Sequence, residues 1–157
     1  MGNRMIAVSA LDLPSRQGSN YPAPHNAPCM NRSRRALGNA FGLSQFGVNL
    51  MDLPPGAWSS QRHWHESQGE LIYVLEGEVV LVTDEGETIL RPGMTAGFRA
   101  GTGNGHHLIN RSDKVARVLE VGTRTVEEIA HYSDIDMMVR VDAQGSHYLA
   151  KDGSHLT

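Results

Sequence analysis

From Phe46 onward, short apolar runs alternate with turn residues. Val48-Asn49-Leu50-Met51-Asp52-Leu53 alternates roughly and stops at Pro54-Pro55-Gly56. Leu71-Ile72-Tyr73-Val74-Leu75 and Val79-Val80-Leu81-Val82 are rich in β-branched and aromatic residues, as strands are. Glu76-Gly77-Glu78 between them predicts a tight turn. Further turns are signalled at Asp84-Glu85-Gly86, Pro92-Gly93 and Gly101-Thr102-Gly103-Asn104-Gly105. His107-Leu108-Ile109 and Val115 to Val121 then read as additional strands. Strands at this spacing predict an all-β sandwich or barrel.

Residues 1–45 have a different texture. Pro14, Pro22, Pro24 and Pro28 exclude a long helix, so this stretch is expected to be an irregular N-terminal arm, ordered by the spaced anchors Tyr21, Met30, Leu37 and Phe41. The barrel is expected over residues 46–125, with residues 126–157 as a C-terminal extension packed on it. In that extension, Thr125-Val126-Glu127-Glu128-Ile129 reads as a helical turn and Ile135 to Val139 as an edge strand.

The chain has 157 residues, enough for one domain with a real core. Its single cysteine, Cys29, leaves no internal disulfide, and together with the short apolar run before Asp12, which is too brief for a signal peptide, this predicts a cytoplasmic protein. No segment approaches the ~18 apolar residues of a membrane span. The formal charge is −3 and Lys occurs only at 114 and 151, which argues against nucleic-acid binding. The one basic run, Arg32-Ser33-Arg34-Arg35, is expected to be a solvated or ion-pairing patch. Gly101–Gly105 lacks the Lys-Ser/Thr ending and the helix of a phosphate-binding P-loop.

Eight histidines are the unusual part of the composition, because several fall together. In His63-Trp64-His65, two imidazoles at i and i+2 of a strand point to one face, within reach of one metal ion. Glu70 has the opposite parity to His65. It joins them only if Ser67-Gln68-Gly69 resets the register. A third imidazole is offered by His106-His107, where alternation alone does not choose between the two. Two nitrogens and a carboxylate suit Zn, Fe, Mn, Ni or Co.

Gly56, six residues, His63-Trp64-His65, four residues, Glu70, six residues, Gly77 resembles the first motif of the cupin superfamily. Gly93 to Gly101, four residues, His106, three residues, Asn110 resembles the second. Arg99 stands where the second motif usually has proline. The paired motifs cover about residues 48–121. Trp64, the run Gly105 to Ser112, Leu119 to Arg124 and Tyr132 to Asp136 extend the likeness to small single-domain bacterial cupins.

The resemblance implies a single cupin barrel, a six-stranded double-stranded β-helix or jelly roll. It implies the metal ligands His63, His65, Glu70 and His106, preferring His106 to His107, around one divalent transition-metal ion (Fe, Mn, Ni or Zn). Strand parity adds Gln61, Ile72, Val74, Leu108 and Asn110 as pocket residues, a largely apolar lining with two amides that favours a small organic molecule over a bare sugar. Tyr73 is expected to pack, His107 to face outward, and Arg62, Arg99 and Arg124 to be surface charges. No general base is singled out. The expected function is a metalloenzyme of dioxygenase or sugar-phosphate-isomerase type; the alternative is a non-catalytic sensor or binding module that grips its ligand through the metal. Strand edges and the arm predict a homodimer, with a small-molecule substrate or ligand as the other partner.

Overall fold

The computed structural model describes residues 5–156, so residues 1–4 of the expected arm and Thr157 of the expected extension lie outside it. Thirteen strands run in chain order. The arm contributes β1 (Arg16–Gln17) and β2 (Ser33–Ala36); then come β3 (Phe46–Leu53), β4 (His63–His65), β5 (Glu70–Glu76), β6 (Val79–Thr83) and β7 (Gly86–Leu90). They are followed by β8 (Thr95–Phe98), β9 (His107–Ile109), β10 (Ala116–Thr123), β11 (Glu128–Tyr132), β12 (Met138–Asp142) and β13 (Gly145–Leu149).

These strands form a six-stranded sheet in the order β1-β2-β3-β10-β5-β8, a four-stranded sheet β13-β12-β11-β4 and a three-stranded sheet β7-β6-β9. All pairings are antiparallel. A backbone bridge joins the two smaller sheets: the His63 N–H donates to the His106 carbonyl (3.2 Å) and the His106 N–H to the His63 carbonyl (2.9 Å). The result is two walls face to face, an all-β cupin-type barrel.

Register decides what lies between the walls. Met51, Val118 and Val74 sit opposite one another on β3, β10 and β5, and Ala116 pairs Leu53, so one end of the interior is apolar. With Val79, Leu81, Leu90 and Leu108 from the other wall they form the main core. Toward the other end the same face carries Asn49, Glu120 and Ile72 in one row, then Gly122, Glu70 and Phe98 in the next. The interior thus changes from apolar to polar along the strands. A second cluster, Ala130, Tyr132, Met137 and Val139, packs beside it with Tyr21 and Tyr148 from the arm and the last strand.

Gly77 shows why the hairpin between β5 and β6 needs glycine. Its φ is +73°, and a Cβ there would lie 2.8 Å from Ala116 Cα and the Val115 carbonyl oxygen, backbone atoms that cannot swing aside.

Two expectations are corrected. Residues 125–129 form no helical turn: Glu128 opens β11, where its buried carboxylate accepts the N–H groups of Glu66, Ser67 and Ile129. The strand near Ile135–Val139 starts at Met138 and is flanked on both sides, by β11 and β13, so it is not an edge. Of the two readings of the basic run, the ion-pairing one holds for Arg34 with Glu120 and Arg35 with Asp52, and the solvated one fails at Arg32, which is 8% exposed; Arg34 lies on β2 beside Met51.

Candidate metal centre and adjoining cavity

β4 ends at His65 and β5 starts at Glu70 in the opposite wall, so the parity conflict is resolved by a change of sheet rather than by a bulge within one strand. His63, Glu70 and His106 then offer ligand atoms all within 4.8 Å of one another. His65 stands outside that triple but touches it. Glu70 Oε2 is the common point: His106 Nε2 lies 2.5 Å away, His65 Nε2 3.4 Å and His63 Nε2 3.7 Å. The four residues named from the sequence are therefore brought together around one carboxylate oxygen.

Several contacts aim these rings. The His63 Nδ1–H donates to the Gln61 carbonyl (2.8 Å), with the Ser60 hydroxyl 3.3 Å away. Phe98, which pairs Glu70 across β5 and β8, stacks on His106 with centroids 3.6 Å apart. His107 turns the other way, buried rather than outward; its Nδ1–H donates to the Ser60 carbonyl (2.9 Å) and its ring meets Trp58 edge-on. His65 Nδ1 and His106 Nδ1 are buried without a hydrogen bond, and the Glu128 carboxylate is 3.9 Å from the former.

Burial is the main influence on His63 and lowers its pKa to about 4. Burial is the largest single influence on His65 too and lowers it, but the hydrogen bond to Glu70 and the negative charges of Glu70 and Glu128 together outweigh this and raise its pKa. Burial opposes the Glu70 charge, yet the bonds from His106 and His65 hold it well below the usual carboxylate range. A neutral His63 that donates through Nδ1 turns the lone pair of Nε2 toward an ionised carboxylate oxygen. Two acceptors facing each other at 3.7 Å call for a cation between them. The donor set, imidazole nitrogens and one carboxylate, fits a divalent transition metal.

The cluster opens on a cavity of about 440 Å³, within the range of small-molecule sites. Of the pocket residues named from parity, Ile72 and Leu108 line it; Gln61, Val74 and Asn110 do not. The Gln61 amide is buried, donating to the His25 carbonyl (2.8 Å). Val74 is sealed in the core, and Asn110 is fully buried, holding the Leu53 and Lys114 carbonyls through its side-chain N–H groups. Alternation gave their face but not their depth along the barrel.

The lining is also more polar than expected. Arg32, Arg34, Asn49, Glu120, Tyr21 and Tyr132 all border the cavity. Arg34 grips Glu120 with two hydrogen bonds, 2.7 and 2.9 Å. Burial opposes its charge, but Glu120 outweighs this and raises the Arg34 pKa. Burial raises Tyr132, keeping its hydroxyl protonated. Arg124 borders the cavity too, donating to Asn39 Oδ1 (2.7 Å). Arg62 is tied to Asp84 and Asp134, as a surface charge would be. Sequence alone gave no sign of the Arg34–Glu120 pair, which spans 86 positions. Phe98 could have been found from its place in the second motif.

A crystal structure from Silicibacter pomeroyi, described as a sugar phosphate isomerase from a cupin superfamily, is 52% identical, covers 96% of each chain and superposes with a TM-score of 0.93. The chain belongs to the cupin superfamily. The cupin domain family matches residues 49–122. Two further cupin-fold structures share the architecture. One, from Acidithiobacillus ferrooxidans, carries the name of a candidate sugar phosphate isomerase (23% identity, 81% of each chain, TM-score 0.74). The other is a polyketide cyclase from Streptomyces resistomycificus (24% identity, 76% of this chain and 79% of the other, TM-score 0.61). No curated protein matches. Among the described residues, no helix is long and apolar enough to cross a membrane.

Proposed function

We propose that this cupin is a metal-dependent isomerase of a small phosphorylated sugar, with His63, His65, Glu70 and His106 holding one divalent transition-metal ion. The observation that carries the reading is a nitrogen and carboxylate cluster opening on a polar, arginine-bearing cavity. A bare apolar pocket would suit an aromatic or acyl substrate better. The name borne by the Silicibacter relative points the same way.

A divalent ion bound there would supply Lewis acidity toward a substrate carbonyl. The protein's own groups would orient the sugar. Asn49 and Glu120 are side by side on adjoining strands, placed to hydrogen-bond hydroxyls along one wall. Tyr132, kept protonated by burial, is a hydroxyl donor and not a base. Its ring lies 5.9 Å from that of His63, at the boundary of cluster and cavity.

The test is a panel of three- to six-carbon aldose and ketose phosphates in D₂O with protein loaded with Fe, Mn, Ni or Zn. The reading expects deuterium to enter the carbon next to the carbonyl, together with aldose–ketose interconversion. Oxygen uptake by the iron form with no interconversion would put the dioxygenase reading in its place. Tight retention of a small molecule with no turnover would favour the sensor or binding module.

A homodimer belongs to the same proposal. Leu71, Tyr73 and Leu75 alternate on the outward face of β5 and are all more than a third exposed, an apolar strip that a second copy would cover. A phosphorylated substrate agrees with the expected cytoplasmic location.

A further inference from the structure

Arg32 is a buried cation without a carboxylate. Its Nε donates to the Gly18 carbonyl (3.2 Å) and its Nη1 to the Ser59 carbonyl, while Nη2 has no hydrogen-bond partner among the described residues. Its guanidinium stands 5.8 Å from the centre of the Tyr21 ring. Arg34 donates to the same Ser59 carbonyl (3.0 Å), so two guanidiniums converge on one oxygen. Arg34 is answered by Glu120, and among the described residues no ion pair answers Arg32. The wall therefore carries two cations and one anion, desolvated together. Burial, and then the charge of Arg34, lower the Arg32 pKa, the signature of a charge that lacks its counter-ion. Keeping such a group charged is costly unless an anion completes the set.

We propose that Arg32 holds the phosphate group of the substrate, through the N–H donors of Nη2, on the cavity wall beside the Arg34–Glu120 pair. A guanidinium edge matches the spacing of phosphate oxygens, and a dianion compensates the uncancelled charge. The proposal rests on the reading of the substrate as a sugar phosphate and assigns its anchored end. Bound in this way, the sugar runs from Arg32 across the cavity toward the His63 and Glu70 end.

The test uses metal-loaded protein titrated with inorganic phosphate, and separately with acetate, at constant ionic strength and followed by calorimetry. Phosphate should bind more tightly than acetate. Arg32→Gln should weaken phosphate binding at least tenfold while keeping its metal, and Arg32→Lys should recover part of the loss. Glu120→Gln removes the neutralising carboxylate and should tighten phosphate severalfold; it decides the matter if Arg32→Gln does not fold. Unchanged phosphate affinity in Arg32→Gln, unchanged or weaker affinity in Glu120→Gln, or acetate binding as well as phosphate would overturn the assignment. Phosphate bound through Arg32 with no sugar-phosphate isomerisation supports the site and sinks the isomerase reading alone.

Discussion

The ring of Phe98 lies parallel to that of His106, with planes within 1° and centroids 3.6 Å apart. The pair spans the two walls of the barrel, since Phe98 ends β8 of the six-stranded sheet and His106 precedes β9. Phe98 thus fixes the rotation of a ring whose Nδ1 has no hydrogen bond of its own. Phe98→Ala should leave the fold in place but weaken metal binding by about 10- to 100-fold, the usual effect of losing a group that orients a ligand. Competition with a chromogenic chelator measures this, and an unchanged affinity would deny Phe98 that role.

His63→Ala and His106→Ala should each abolish retention of metal through gel filtration, because each removes a member of the tight triple with Glu70. His65→Ala, which lies outside that triple, should keep metal at reduced affinity. Elemental analysis per chain separates these outcomes. A full equivalent of metal in the first two variants would refute the ligand set.

In the metal-free protein His63 and His65 should titrate on opposite sides of the ordinary histidine value. His63, desolvated to a pKa near 4, takes up no proton when unfolded chains do, so its contribution to stability is present above about 6.5 and is lost as pH falls toward 4. His65, raised by Glu70, acts the other way: its contribution is present below 6.5 and fades as pH rises through its folded pKa. Imidazole NMR at pH 5.5 should show His63 neutral and His65 charged; the reverse order would contradict the geometry.

Gly105 is predicted to tolerate no side chain. A Cβ there would lie 2.0 Å from Ser133 Oγ and 3.0 Å from Ser133 Cβ, so Gly105→Ala should cost roughly 1–3 kcal/mol and displace the adjoining His106. Because the nearest obstacle is one small side chain, with Arg62 Cγ next at 3.3 Å, Ser133→Gly in the same protein should restore part of the loss. Thermal unfolding of the two single variants and the double variant gives the coupling.

A homodimer should be seen by light scattering at micromolar concentration, and Leu71→Lys with Tyr73→Lys on the exposed strip should dissociate it. A monomeric parent protein would rule this out.

The strands of the barrel were readable because Ile72, Val74, Leu108 and their neighbours repeat with the period of a two-faced sheet. Of the candidate ligands, His63 and His65 stood out because they share one short strand, whereas Glu70 and the choice of His106 over His107 rested on the resemblance to cupins. What alternation could not convey was depth. Gln61, Val74 and Asn110 face inward, yet each is used by local packing or by backbone carbonyls before it reaches the cavity. Nor could local pattern reveal Arg32 and Arg34. A run of four residues with three arginines reads as solvated or ion-pairing until β2 is seen paired to β3, carrying Arg34 into the row of Met51. Residues 125–129 read as a helical turn because nothing local shows that the Glu128 carboxylate is spent on three backbone N–H groups at the start of β11.

The reciprocal backbone bridge between His63 and His106 has a mechanical meaning. It is the seam between the four-stranded and three-stranded sheets, and both residues that form it also turn their rings toward Glu70 on the facing wall. An ion seated there would act as a rivet through three sheets at once. Occupancy and barrel closure would then be one equilibrium, so that withdrawing the ion would loosen the barrel as a whole.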